Sequence, residues 1–271
     1  MSEPGVDDSE ADDYVHYECI DRIATITLNR PGKLNAFNDQ MVMRMARVLH
    51  EFDIDEGADV AVLRGEGRAF CSGADVHQRQ LRSDAELKKH GGSQGWNANA
   101  SELFVRAINW KPVISAPHGF AVGLGLGMVL ESEIIVAEAG TRFQVTETSR
   151  GLASSRYWAL LRFRGAGSFA TEVALTGRFF SAAEAAAVGI VGSVAPPGSV
   201  VETATALARQ IAANPPLSVQ ATVRARRWFM DQAERAAMAI TDPMKLYLTE
   251  DFREALAAHL DKRKPRPFRG R

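Results

Sequence analysis

Two glycine-containing loops carry the residues best suited to chemistry in this chain of 271 residues. The first loop, FCSGAD at residues 70–75, follows a short apolar run that is typical of a buried strand. Gly73 allows the backbone to form a tight turn. The N–H of the next residue, Ala74, is therefore predicted to point out of the protein toward an anion. Taken alone, the loop is equally well interpreted as an ordinary tight turn.

The second loop, HGFAVGLGLG at residues 118–127, also follows a predicted strand, and it leads into a helix. The unpaired N–H groups and the positive dipole end at the start of a helix favour negative charge. Two backbone donors that converge on one oxygen atom form an oxyanion hole. Removing one such donor typically costs about 3–4 kcal/mol of transition-state stabilisation.

Other chemistries find little support in the sequence. The glycines of residues 123–127 form GxGxG and lack the third glycine of a dinucleotide fingerprint, and no early βαβ unit supplies a ribose-binding acid. No G-x-S-x-G elbow and no HExxH pair occurs, so Ser72 is a poor candidate for a nucleophile. Cys19 and Cys71 have no metal-ligand spacing. We therefore predict neither a metal site nor a separate cofactor.

The elements that must position these loops form a layered α/β core up to residue 150, followed by a mostly helical region. A hairpin is expected because two β-branched, alternating segments adjoin at Asp21. Ser181 and Glu184 have the spacing of a capping box. Polar residues 77–97 are expected to form a loop or a loosely held helix. Predicted strands are 14–20, 22–29, 60–65, 112–116 and 133–139, and predicted helices are 39–52, 99–110, 171–178, 181–191, 200–213, 217–238 and 241–263.

Composition narrows the class of protein. The chain is 46% hydrophobic and 24% charged, which is ordinary for a folded globular protein. A formal charge of −1 gives no basic field for nucleic acid or an anionic membrane. No apolar run reaches the length of about 18 residues that a membrane helix requires. Residues 1–13 form an acidic segment without signal-peptide features, expected to be a disordered tail. With two cysteines, these features suggest a cytoplasmic protein.

Five segments together resemble the crotonase superfamily, which contains the enoyl-CoA hydratases and isomerases. ITLNRPGKLNAF (26–37), FCSGADV (70–76) and HGFAVGLGLG (118–127) resemble its three signature segments. LTGRFFSAAEAAAVGIV (175–191) resembles a later conserved stretch, and LTEDFREALAAHLDKRKPRPFRG (248–270) resembles the C-terminal helix and basic tail. The segments keep the order of the family along nearly the whole chain.

The resemblance implies a spiral of ββα units over residues 14–200 and a C-terminal helical region for trimerisation or as a lid over 201–271. It further implies homotrimers or hexamers and an acyl-CoA thioester as substrate, with coenzyme A entering as part of it. Ala74 and Leu124 would supply the oxyanion N–H groups. Arg30, Arg263 and Lys264 are further candidates for the coenzyme A phosphates. Other implied substrate contacts are Lys33, Leu34, Gly73, Asp75, Val76, Gly123, Gly125 and Lys262.

The reaction depends on carboxylates. Hydratases of the family use two glutamates, and the first of these positions holds Gly127 here. The second position, anchored by Phe143 in the segment TRFQVTETS (141–149), holds Glu147. A single glutamate is the arrangement of the family's Δ3,Δ2-enoyl-CoA isomerases, in which it moves a proton from carbon 2 to carbon 4. Burial would raise the pKa of such a carboxylate. We predict an isomerase that uses Glu147, although an ordinary surface glutamate is the simpler interpretation of the residue.

The segment GLASSRYWALLRFRG (151–165) departs from the family pattern. Arg156 is predicted to bind a second anionic group on the substrate and Trp158 to line the acyl pocket, or else the aromatic residues only pack the core. Two alternatives to the isomerase remain. One is a hydratase or hydrolase in which Glu131 or His118 handles water. The other is a protein of the same fold that binds acyl-CoA with little catalysis.

Overall fold

The computed structural model of the protein describes residues 13–90, 110–165 and 167–271. The predicted acidic tail, apart from its last residue, and nearly all of the predicted helix 99–110 lie outside these ranges. No helix in the described ranges is long and apolar enough to cross a membrane.

Six strands form the main sheet, and their spatial order follows the chain order. They are β1 (Val15–Ile20), β2 (Ile23–Leu28), β3 (Val60–Gly65), β4 (Val113–Ser115), β6 (Ile134–Glu138) and β9 (Ser193–Ala195). The predicted hairpin is confirmed, because β1 pairs antiparallel with β2 through a turn at residues 21–22. The other four pairings are parallel, as the predicted α/β class requires.

A second, three-stranded sheet was not predicted from the sequence. It consists of β5 (Phe120–Val122), β7 (Arg142–Gln144) and β8 (Phe179–Ser181), with β7 between its two neighbours. Three-residue strands are too short to show the alternation by which a strand is recognised. Because β5 and β7 run parallel with Val122 opposite Gln144, the chain leaves both strands at the same edge of this sheet.

Ten α-helices lie in the described ranges. The predicted capping box of Ser181 and Glu184 is confirmed at the start of α7. Residues 151–165, at the start of the region predicted to be mostly helical, contain α5. Two short helices lie in residues 76–90, where we expected a loop or a loosely held helix. The helices are α1 (Asp39–Ile54), α2 (Val76–Arg79), α3 (Asp84–His90), α4 (Leu124–Glu131), α5 (Ser155–Arg164), α6 (Gly167–Thr176), α7 (Ala182–Ala187), α8 (Val200–Ala212), α9 (Pro216–Thr241) and α10 (Glu250–Leu260).

The main sheet is buried on both faces, which is why β3 is a continuous apolar run. Ala61 and Leu63 face the large cluster that contains the apolar side of α1. Val60 and Val62 face the opposite cluster, which is closed by α8. α8 therefore covers the main sheet, whereas the long helix α9 packs mainly on α5.

Candidate active site

The first candidate donor, the N–H of Ala74, is held by bonds on both sides of it. Phe37 N–H donates to the Gly73 carbonyl at 2.9 Å, and Asp75 N–H donates to the Phe37 carbonyl at 2.8 Å. Gly73 has φ +103°, a conformation that side chains disfavour. The Ala74 N–H is not among the backbone donors that pair with backbone carbonyls within the described ranges. No backbone carbonyl of the described residues therefore takes up this donor.

The second candidate donor is the N–H of Leu124, the first residue of α4. Gly123 precedes it with φ +50° and donates to the Gln144 carbonyl at 3.0 Å, which ties the turn to β7. A methyl group placed at Gly73 would lie 3.8 Å from the Leu124 nitrogen, so the two donor loops are direct neighbours. Proximity of the two donor loops is one condition for an oxyanion hole.

Close contact between the two loops depends on Gly125. A methyl group there would lie 2.7 Å from both Cβ and the carbonyl oxygen of Cys71, and 2.9 Å from its Sγ. Cys71 is fully buried and pairs with Ala121 of β5, which extends the small sheet by one segment. The chain segments that end in Ala74 and Leu124 thus lie side by side.

Glu147 is brought to the same edge by β7. Glu147 is only 7% exposed. A methyl group at Gly123 would lie 3.6 Å from Glu147 Oε1, which places the carboxylate beside the turn that presents the Leu124 N–H. Burial raises the pKa of Glu147 to about 7, although hydrogen-bonding groups of Thr146 and Tyr157 act to lower it. The interpretation of Glu147 as a surface glutamate is wrong.

The position of the first hydratase glutamate, Gly127, is closed by α5. A methyl group at Gly127 would lie 3.0 Å from Arg156 Nη1 and 3.4 Å from the ring of Tyr157. Arg156 forms ion pairs with Glu131 and Glu234, all three being buried. This arrangement argues against the predicted contact of Arg156 with a substrate anion, because two carboxylates already neutralise the guanidinium.

Trp158 does not join this group. Its indole N–H donates to Thr171 Oγ1 at 3.0 Å, and the Arg162 guanidinium lies 5.4 Å from the ring centroid. Residues two apart on a helix project about 200° apart, so Trp158 faces α6 while Arg156 faces α4. The structure therefore gives Trp158 a surface position between α5 and α6, away from Glu147.

The predicted contacts of the substrate near residues 30–37 lie beside the first loop. Ser72 N–H donates to the Leu34 carbonyl at 2.9 Å, and Lys33 is exposed next to it. Asp75 pairs with Arg30 at 2.8 Å, and this pairing outweighs burial to hold the pKa of Asp75 below its usual value. Arg30 is thus occupied within the protein.

Two further predicted substrate contacts, Val76 and Lys262, lie next to the ends of helices. Val76 begins α2 directly after Asp75. Lys262 is exposed just after α10, whereas Arg263 pairs with Glu254. α10 itself packs closely on the loop after Glu147, since a methyl group at Gly151 would lie 2.9 Å from the Phe252 Cα.

The groups proposed as alternative water-handling residues are engaged elsewhere. Glu131 is fully buried and paired with Arg156. His118 Nε2 lies 2.9 Å from the Gly67 carbonyl oxygen. Glu133, two residues beyond Glu131, is held by Arg226 and Arg227 and by the Val113 N–H, a structural role.

A match to a known protein family decides the class of this site. The family model described as enoyl-CoA hydratase/isomerase matches residues 18–271. The chain belongs to this family. The chemistry common to it, that of acyl-CoA enzymes, therefore applies to this protein, and the resemblance to the crotonase superfamily is confirmed.

Relatives in the enoyl-CoA hydratase/isomerase family include enzymes with different reactions. The chain is 31% identical to 2,3-dehydroadipyl-CoA hydratase of Escherichia coli (strain K12), over 92% of this chain and 96% of the relative. It is 30% identical to 1,2-epoxyphenylacetyl-CoA isomerase of the same organism, over 90% and 94%.

A solved structure of a carnitinyl-CoA dehydratase from Mycobacterium avium 104 superimposes with a TM-score of 0.74 at 30% identity. The match covers 93% of this chain and 97% of that one. The crotonase-like fold, with its helical C-terminal region, is therefore confirmed as well.

Sequence reasoning missed one residue of the site. The sequence left Tyr157 either as part of an aromatic acyl pocket or as core packing, and the residue is 1% exposed. Its hydroxyl lies 3.7 Å from the position of a methyl group at Gly127, and it is close enough to Glu147 for each group to shift the pKa of the other. No spacing or charge pattern in the sequence signals this placement.

Proposed function

We propose that this protein is an enoyl-CoA isomerase that moves a double bond from the 3,4 to the 2,3 position of an acyl-CoA, with Glu147 as its single acid–base residue. The observation that carries the proposal is the pairing of a buried Glu147 with a closed position at Gly127. One carboxylate faces the loops of the two candidate donors, and no second carboxylate stands where the hydratases of the family have theirs.

The proposed reaction is a proton shuttle. The thioester oxygen accepts hydrogen bonds from the Ala74 and Leu124 N–H groups, which stabilise the dienolate. Glu147 takes the proton from carbon 2, the electron pair delocalises over the thioester and the double bond, and the same proton returns at carbon 4. The reaction needs no water and no cofactor besides the coenzyme A of the substrate.

The pKa of Glu147 suits this shuttle. A group that must both accept and donate a proton works best when its pKa lies near the working pH. Burial raises the pKa of Glu147 to about 7, so both protonation states are accessible at neutral pH. A solvated glutamate, with its lower pKa, would be a weaker base toward the carbon 2 proton.

The test uses 3-enoyl-CoA thioesters, whose conversion to conjugated 2-enoyl-CoA is followed by ultraviolet absorbance. We expect turnover by the unchanged protein and a loss of at least about 100-fold in Glu147→Gln, within the range of general acid–base catalysis. Glu172→Gln is the matched control, because Glu172 is an exposed glutamate on α6 that pairs with Arg178. Full activity in Glu147→Gln would refute the assignment.

A hydratase is the second candidate, favoured by the hydratases among the relatives. It requires another group to hold the water, because Gly127 has no side chain and Glu131 is occupied by Arg156. Mixing the protein with 2-enoyl-CoA and detecting the 3-hydroxyacyl-CoA product by mass spectrometry separates the two reactions. Water addition faster than the double-bond shift would overturn the isomerase proposal in favour of the hydratase.

A homotrimer or hexamer and a cytoplasmic location stay predictions. Light scattering of the purified protein at several concentrations tests the first, and cell fractionation tests the second.

A further inference from the structure

Two glycines one helical turn apart at the start of α4 leave a shared space on one side of this helix. Side chains three and four positions apart on a helix are neighbours, and Gly123 and Gly127 both lack one. Glu147 Oε1 covers the first, at 3.6 Å from a methyl group placed there. The hydroxyl of Tyr157 covers the second, at 3.7 Å. The two side chains are also near enough for each to act on the pKa of the other.

The hydroxyl of Tyr157 is a polar group with unused capacity. Its residue is 1% exposed, and the hydroxyl makes no hydrogen bond of ordinary length within the described ranges, although it lies near enough to Glu147 to lower the pKa of that carboxyl. A buried hydroxyl without a partner costs roughly 1–3 kcal/mol. Such a group is most easily explained by a partner that is absent from the resting protein, either a ligand or a different state of a neighbouring residue.

The charges around the pair determine how each group ionises. The phenol of Tyr157 faces Glu147, which follows β7. Arg156 of the same helix and Glu234 of α9 also act on the pKa of this phenol. Burial and Glu147 raise the pKa of the phenol well above its ordinary value. Glu147 faces Tyr157, the Thr146 hydroxyl and Arg150, and Arg150 is in turn approached by His259 of α10. The phenol is thus a neutral donor at all working pH values.

We propose that Tyr157 is the positioning residue of the site: when Glu147 is ionised, the Tyr157 hydroxyl donates a hydrogen bond to its carboxylate and holds it toward the acyl chain. The inference rests on the proposed function of Glu147 as the acid–base group. It assigns to Tyr157 the place that a carboxylate would occupy at Gly127, with a donor that cannot act as a base. The site thereby orients one proton carrier without adding a second.

The first test measures Glu147 directly in the substrate-free protein. Infrared difference spectra between the protein and Glu147→Gln report the protonation of this carboxyl across pH. We expect Tyr157→Phe to move the midpoint up by about one pH unit, since a hydrogen bond to a charged group stabilises it by roughly 1.5–3 kcal/mol. Tyr17→Phe is the matched control: Tyr17 donates to Asp55 at 2.6 Å, far along the chain from this site, and should leave the midpoint unchanged.

A second variant keeps the packing intact. Incorporation of 3-fluorotyrosine at position 157 makes the hydroxyl a stronger donor with almost the same shape, and the midpoint should move down. With 3-enoyl-CoA, Tyr157→Phe should lower kcat by about 10-fold or more and leave KM within about twofold. A midpoint that moves in neither variant, with kcat unchanged, would show that Tyr157 only packs the core.

The infrared measurement also separates this inference from the proposed function. A shifted midpoint without double-bond movement on any enoyl-CoA would refute the isomerase and retain the positioning role. Isomerisation with an unmoved midpoint in both variants would retain the isomerase and refute the role of Tyr157.

Discussion

Substitution of Gly125 by alanine tests whether the two candidate donors form a rigid pair. The new methyl group would lie 2.7 Å from Cβ and the carbonyl oxygen of Cys71, about 0.7 Å inside the shortest ordinary contact of 3.4 Å. The carbonyl belongs to backbone that pairs with β5, so it cannot rotate away as a flexible side chain would. The loop of Ala74 and the start of α4 must therefore move apart.

This displacement should lower both the stability of the fold and the rate of the reaction. Overpacking of this kind costs about 1–3 kcal/mol of folding free energy, which a folded protein usually survives. Displacing one oxyanion donor costs about 10²–10³ in rate. We therefore expect a protein that folds, melts at a lower temperature and has lost most of its ability to stabilise an enolate.

Exchange of the carbon 2 protons of a saturated acyl-CoA in D₂O, followed by NMR, measures enolate formation whatever reaction comes after it. Gly167→Ala is the control, because a methyl group there meets nothing within 4 Å and Gly167 lies on α6, away from the two loops. Proton exchange at the normal rate in folded Gly125→Ala would refute the inference that close contact of these loops positions the donors.

Three further outcomes follow from the buried groups. The folded pKa of Glu147 is about 7 against an ordinary 4.5, so the stability that its protonated form contributes at low pH is lost as pH rises through 7. Urea unfolding at pH 5 and pH 8 should show a loss of up to about 3 kcal/mol that is absent in Glu147→Gln. Arg156→Met, which removes the guanidinium between two buried carboxylates, should lower the free energy of unfolding by about 3–5 kcal/mol. Gly127→Glu should gain no hydration of 2-enoyl-CoA unless Tyr157 is also truncated to alanine, as measured by loss of conjugated absorbance.

Local signals in the sequence predicted the elements that depend on local physics. The run 60–65 was identified as a strand because burial on both faces requires unbroken apolar residues. The capping box at Ser181 was identified because its two hydrogen bonds involve residues only three apart. The second sheet was missed because its three-residue strands are held by partners distant in sequence, yet this sheet brings Glu147 to the loop of Leu124.

The candidate site was predicted in a similar, uneven way. Ala74 and Leu124 could be named because a backbone donor requires only a particular chain geometry, which glycine-rich loops indicate. The surroundings of Gly127 could not be predicted from the sequence, because they depend on which face of α5 turns inward. The guanidinium of Arg156 is of a type that binds anions, but two carboxylates from α4 and α9 neutralise it. No local pattern in the sequence predicts that those helices lie together.

The three alternating glycines of residues 123–127 do not match a dinucleotide fingerprint. Each of them leaves space for a different neighbouring residue. The first leaves room for Glu147, the second for Cys71 and the third for α5 with Tyr157. A side chain at Gly123 would first meet Thr146 Oγ1, at 2.9 Å, beside Glu147. One at Gly125 would meet Cys71, and one at Gly127 would first meet Arg156 Nη1, at 3.0 Å, beside Tyr157. Because these three contacts converge on one helical turn, the start of α4 fixes the relative positions of the donors and the carboxylate. At Gly127, a side chain as large as a carboxylate would compete for space with Arg156 and Tyr157.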